Sequence, residues 1–124
     1  MNSNNQPVIL VVDDIVTNIV LIQAFLRGRN YEVLSAQSGV QALQIASENH
    51  PDIVILDIMM PEMDGYEVLA RLRASEDTKD IKVVMLSALA KESDIRNAMD
   101  LGADGFLTKP ILANKLYEAL EKLI

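Results

Sequence analysis

Cysteine is absent from these 124 residues, which excludes a disulfide scaffold, a thiolate metal site and a cysteine nucleophile. A reducing compartment fits that absence. Positive charge is scarce: 11 Lys and Arg against 18 Asp and Glu leave a net charge of −7. Phosphate backbones demand a basic footprint, so this balance argues against direct nucleic-acid binding. No apolar run approaches the roughly 20 residues that span a bilayer, so no membrane association is expected. Residues 1–6 lack the basic and apolar regions of a signal peptide and read as a disordered polar lead. Residues 7–124 read as one domain, and the length suits one. A soluble, cytoplasmic protein is expected. There is no internal repeat, low-complexity tract or dividing linker, and no glycine-rich loop after the first apolar run to cradle a nucleotide.

What the chain has instead is a series of short apolar runs that end on chemically capable residues. Val8 to Val12 leads into Asp13 and Asp14, and Ile53 to Leu56 into Asp57. Val83 to Leu86 stops at Ser87, and Phe106 to Thr108 at Lys109. The runs are rich in Val and Ile and continuous rather than alternating, as strands are when helices cover both faces of a parallel sheet. Residues 31–36 alternate more, which suits an edge strand.

Helical periodicity fills the gaps between runs. Ile15, Ile19, Ile22 and Leu26 form one stripe, and Ala42, Leu43 and Ala46 mark a second helix closed before Pro51. His50, the only histidine, reads as a helix-end cap. Asp64-Gly65 opens a third helix with Val68, Leu69 and Leu72 inward. Ser93 or Asp94 is expected to cap a fourth through Ile95, Ala98 and Met99, and Leu112, Leu116, Leu120 and Leu123 face inward from a fifth. The result is an α/β, doubly wound (βα)5 fold, with a five-stranded parallel sheet in order 2-1-3-4-5 and helices on both faces. Ligands bind such sheets at the carboxyl ends of the strands flanking the topological switch. Here those are the first and third strands, which end in Asp13, Asp14 and Asp57.

Taken alone, Asp13 and Asp14 could be a helix cap and a solvated neighbour. A third carboxylate packed beside them would meet desolvation and repulsion, which a divalent cation removes. Oxygen-only ligands with few carboxylates suit Mg²⁺. Lys109 leaves the fifth strand at the same edge, where an ammonium can partner carboxylates and phosphate oxygens.

The constellation Asp13-Asp14, Asp57, Ser87 and Lys109-Pro110 resembles the receiver domain of bacterial two-component response regulators. The likeness extends over residues 7–124 through linked motifs at 11–14, 56–65, 87–88 and 102–110. It implies that Asp57 is the phosphoacceptor and that Asp13, Asp14, Asp57 and the Met59 backbone carbonyl hold Mg²⁺, with Mn²⁺ able to substitute. It implies further that Lys109 binds the phosphoryl group, that the Lys109-Pro110 bond is cis, and that Ser87 and Phe106 are the switch pair. The donor would be a sensor histidine kinase or a histidine phosphotransfer protein. The output would be a face of helix 4, strand 5 and helix 5, read by a downstream protein or effector domain, with a homodimer through that face also in view. Such a domain regulates; its only chemistry is gain and loss of its own phosphoryl group.

Four finer expectations follow. Met59 and Leu89, apolar where receivers can carry polar residues that orient water, imply slow self-dephosphorylation. Asn18, Leu21 and Phe25, off the core stripe, form a docking patch for the donor. Met60 and Met63 pack the loop against the third helix, while Tyr117 borders the output face. Two rival readings remain: a receiver-like module recognised without phosphorylation, and an aspartyl-phosphate phosphatase of haloacid dehalogenase type. The second expects Asp-x-Asp after a strand, which this chain lacks. No effector segment is expected after the fifth helix. The chain reads equally as a stand-alone regulator or as the receiver of a hybrid kinase or a diguanylate-cyclase regulator.

Overall fold

Each apolar run becomes a strand because both of its faces find cover. The structure, a computed structural model, describes residues 6–89 and 91–124. Its elements in chain order are β1 (Val8–Val12), α1 (Val16–Leu26), β2 (Glu32–Ala36), α2 (Gly39–Asn49), β3 (Ile53–Asp57), α3 (Gly65–Ala74), β4 (Lys82–Ser87), α4 (Glu92–Asp100), β5 (Gly105–Thr108) and α5 (Ala113–Leu123). All strand pairs are parallel, in order β2-β1-β3-β4-β5. The expected topology and its switch between β1 and β3 are therefore observed.

Alternate strand residues feed two separate cores. Ile9, Val11, Ile53, Ile55, Val84 and Leu86 pack with Ile19, Ile22, Leu26, Leu116 and Leu120 of α1 and α5. Leu10, Val12, Val54, Leu56, Val83 and Met85 pack on the opposite face with Ala42 and Ala46 of α2, Val68, Leu69 and Leu72 of α3, and Ala98 of α4. Burying side chains of this size fully is worth about 1.5–3 kcal/mol each, so the two layers carry most of the stabilisation.

Helix ends follow the sequence in two places and depart from it in others. Asp64 caps α3, its Oδ1 accepting from Glu67 N–H at 2.9 Å. His50 closes α2 in the left-handed region (φ 47°), its N–H donating to Ala46 O. The α1 stripe, however, begins at Ile19. Ile15 is the extended residue ahead of the helix and is 51% exposed, because its N–H is drawn to Asp13 Oδ1. Neither Ser93 nor Asp94 caps α4; the N-cap is Lys91, and Glu92 and Asp94 sit in the first turn, where acidic groups suit the helix dipole. Of α4's residues only Ala98 is buried, with Ile95 and Met99 exposed. Leu112 is likewise the exposed residue before α5, and Leu123 is half-buried.

Two long-range ties set the helix positions. Tyr117 Oη donates to Phe25 O at 2.7 Å, and the Arg29 guanidinium lies 3.5 Å over its ring. Tyr117 thus joins α5 to α1 and does not border the expected output face. Arg73 of α3 donates to the carbonyls of Gly102, Lys79 and Ile81 and to Asp104 Oδ2, at 2.7–3.1 Å. Asp104 Oδ2 also accepts from Val83 N–H, so one guanidinium ties α3 to both loops that bracket β4 and α4. The lead assigned to residues 1–6 falls on residues 1–5 outside the described residues, while Gln6 donates to Asn30 Oδ1 at 3.0 Å.

Lysine cannot reproduce the planar fork of Arg73. Arg73→Lys is expected to lower unfolding free energy by about 2 kcal/mol, because two or more carbonyls lose charged donors. A denaturant melt with an unchanged midpoint would contradict this.

Candidate functional site

Parallel register brings the strand ends together. Val12 pairs with Leu56, and Asp57 with Leu86, so Asp13, Asp57 and Ser87 leave the sheet at one edge. Asp13, Asp57 and Ser87 are buried polar residues, at 0%, 1% and 3% exposure. One oxygen from each of Asp13, Asp14 and Asp57 lies within 4.8 Å of the others. Lys109 arrives from β5, its Nζ 3.1 Å from Asp57 Oδ1 and 3.3 Å from Asp13 Oδ2. Its backbone N–H donates to Ser87 O at 2.8 Å, which sets the lysine beside the serine, and its bond to Pro110 is cis.

Three carboxylates against one ammonium leave this pocket underneutralised. Asp57 Oδ2 and Asp14 Oδ1 are buried with no hydrogen-bond partner among the described residues. Burial pushes the Asp57 carboxyl up to about 6; the Lys109 ammonium opposes this, and the charges of Asp13 and Asp14 add to it. Burial works against the Lys109 charge as well, but the Asp57 and Asp13 carboxylates outweigh it and hold its pKa above the ordinary lysine value. Buried, orphaned, oxygen-only donors with excess negative charge fit a hard divalent cation such as Mg²⁺.

The remaining sequence candidates are placed unevenly. Ser87 Oγ accepts from Leu89 N–H at 3.0 Å. Phe106 is half-buried against the α2–α4 core, opposite Met85 and two positions before the Ser87–Thr108 pair. Met59 and Leu89 are 68% and 54% exposed, so neither acts as packing. Met60 is buried, and Met63 lies against Gly39 of α2 and packs on the core cluster to which Val68, Leu69 and Leu72 of α3 belong. Of the three residues expected to form a docking patch, Leu21 is exposed, while Asn18 and Phe25 are half-buried, and Phe25 packs into the α1–α5 core. Ile15, Val16 and Val20 are also exposed, which the sequence reading did not anticipate. Their signal was present: α1 contains no charged residue, and a helix apolar all round has a second face to cover.

The model of the response regulator receiver domain matches residues 9–121. The chain belongs to that family. Similar curated proteins include the response regulator PleD of Caulobacter vibrioides, 46% identical over 83% of this chain, and the chemotaxis protein CheY of Listeria monocytogenes, 39% identical over 92%. The match spans 23% of PleD and 95% of that CheY. Among solved structures, the receiver domain of the sensor histidine kinase PA1611 from Pseudomonas aeruginosa superposes with a TM-score of 0.86 at 30% identity, covering 95% of this chain and 97% of that one. That structure has a magnesium ion coordinated in its active-site cleft. This receiver is accordingly a phosphoacceptor module of two-component signalling, regulatory in kind, of a family that interacts with histidine kinases and downstream effectors. Among the described residues no helix is long and apolar enough to cross a membrane.

The raised Asp57 pKa has a definite sign in stability. Between the ordinary value of 3.8 and about 6 the folded state holds a proton that the unfolded state has released. Stability from this group is thus present at pH 4 and lost as pH rises through 6. Without divalent metal, Asp57→Asn is expected to melt several degrees above wild type at pH 7.5 and to match it near pH 4. Equal melting at both pH values would contradict the assignment.

Proposed function

We propose that Asp57 accepts a phosphoryl group from the phosphohistidine of a sensor kinase or a histidine phosphotransfer protein. An Asp57 oxygen forms the O–P bond as the donor's N–P bond breaks, and the imidazole leaves with the electron pair. Such transfers depend on in-line positioning and on neutralising the equatorial oxygens. Lys109, 3.1 Å from Asp57, is the chain's own cation for those oxygens, and Ser87 is the nearby hydroxyl donor. Asp13, Asp14, Asp57 and the Met59 carbonyl would hold Mg²⁺ or Mn²⁺. The bound ion supplies the positive charge that lets a phosphoryl group approach three carboxylates. The observation that carries this reading is the buried, orphaned oxygen set beside Lys109.

The phosphoryl group adds charge and strong acceptors, which gives Ser87 a reason to leave Leu89 N–H and donate inward. Phe106 then turns into the space released. The output is the face of α4, β5 and α5, where a hollow of about 200 Å³ is lined by Phe106, Thr108, Leu112 and Lys115. With one buried residue, α4 offers little resistance to such a population shift. A downstream protein, an effector domain or a second copy of the chain would read this face in the cytoplasm. For the donor, the docking surface includes Asn18 and Leu21 and extends to Val16 and Val20, with Phe25 contributing less because it packs inward.

Exposed apolar Met59 and Leu89 leave attacking water without a polar guide, so the adduct is expected to be long-lived. Incubation with Mg²⁺ and acetyl phosphate should give a phosphoryl adduct by intact mass, absent in Asp57→Asn, with NMR shifts at Phe106. No adduct despite Mg²⁺ binding would favour a module recognised by shape alone. The adduct should outlast seconds and decay several-fold faster in Met59→Asn; loss within seconds from wild type contradicts the slow reading.

A further inference from the structure

The residue that follows the acceptor is held between two elements through both of its backbone polar groups. On one side Ile58 N–H donates to Leu86 O of β4 at 3.0 Å. On the other, Gly65 N–H at the start of α3 donates to Ile58 O at 2.8 Å. A Cβ at Gly65 would overlap the Asp57 carbonyl oxygen and stand 2.7 Å from Ile58 Cα and 3.0 Å from the Asp57 carbonyl carbon. All three are backbone atoms, so no rotamer change relieves the contact. Gly39 contrasts with this: its nearest neighbours would be Met63 and Val68 side-chain atoms, which can shift. Gly65 is also absent from the positive-φ residues, so close approach and not handedness is what requires glycine.

We propose that Gly65 is a positioning residue for phosphoryl transfer: its missing Cβ lets the first turn of α3 seat on the Asp57–Ile58 peptide, which aims the Asp57 carboxylate at Lys109. Strand register fixes Asp57 on its β4 side through Leu86. The α3 contact fixes the other side, just where the chain leaves the sheet and enters the loop through Met59. Beyond the bond from Ile58 N–H to Leu86 O the chain leaves the ladder, so the helix supplies the remaining constraint on the direction of the carboxylate. Asp64, which caps the same turn, keeps that turn in place. The proposal rests on Asp57 being the acceptor.

The test compares Gly65→Ala with Ile53→Ala. Ile53 is fully buried at the opposite end of the same strand, so its truncation destabilises the fold far from the site. In folded Gly65→Ala, Mg²⁺ affinity by calorimetry and the acetyl phosphate reaction rate are each expected to fall about tenfold or more, as displaced reacting groups do. In metal-free protein the amide resonances of Ile58 and Lys109 should move too. Ile53→Ala should lose thermal stability but keep affinity and rate within about twofold of wild type, since distant sites act independently. Gly65→Ala with wild-type affinity and rate, or Ile53→Ala with equal losses, overturns the proposal. Should Gly65→Ala fail to fold, Asp64→Ala loosens the turn without adding an atom, and Asp64→Asn keeps a capping oxygen. Weaker Mg²⁺ binding in Asp64→Ala than in Asp64→Asn supports the proposal; equal binding overturns it. If wild type binds Mg²⁺ but takes no phosphoryl group, the acceptor reading fails by itself. The Mg²⁺ affinities then still decide whether Gly65 positions the carboxylate.

Discussion

Three carboxylates held together at the carboxyl edge of a parallel sheet, against one lysine, set the terms for this molecule. Nothing about folding favours that arrangement: burial and mutual repulsion both act against the ionised forms. It persists because the two apolar layers on either face of the sheet leave β1 and β3 no freedom to separate. Val11 and Val12 are held against Ile55 and Leu56, and the acids follow one residue later. Stability made in the core is thus expended as charge crowding at the edge, and Lys109 relieves part of it. A cation or a phosphoryl group, in the function proposed, would act on the remainder, and a small local event would thereby gain leverage over the fold.

That leverage has a direction. The α1–α5 side is tied by Tyr117, Arg29 and the continuous core of Ile19, Ile22, Leu26, Leu116 and Leu120. The opposite side ends in α4, with one buried residue, no side-chain cap and its C-terminal loop secured by Arg73. Ser87 and Phe106 stand between the crowded edge and that lightly held helix. A change in charge at Asp57 therefore meets least resistance toward α4 and β5.

Much of this was legible in the sequence. Continuous Val- and Ile-rich runs ending in Asp, Ser and Lys gave away a parallel sheet with one functional edge, and the positions of Asp13, Asp14, Asp57, Ser87 and Lys109 followed. The misplaced residues have two causes, helix boundaries and contacts distant in sequence. Ile15 and Leu112 fit the helical period but lie before their helices, because the local backbone there is extended and periodicity carries no boundary information. Ile95 and Met99 fit an apolar stripe on α4, yet what covers a stripe depends on neighbours distant in sequence. Tyr117 meets Phe25 across 92 positions, a contact no local pattern encodes. Gly65 was read as the start of a helix, and only its approach to the Asp57 backbone explains why glycine stands there.

The central claim is that Lys109 and Asp57 form a coupled pair inside an overcharged site. A double-mutant cycle in metal-free protein at pH 7.5 tests it most directly, with unfolding free energies for wild type, Lys109→Met, Asp57→Asn and the double variant. The account predicts that Lys109→Met is strongly destabilising alone and loses well over half of that effect in the Asp57→Asn background. Additive effects, with no coupling beyond about 0.5 kcal/mol, would contradict it.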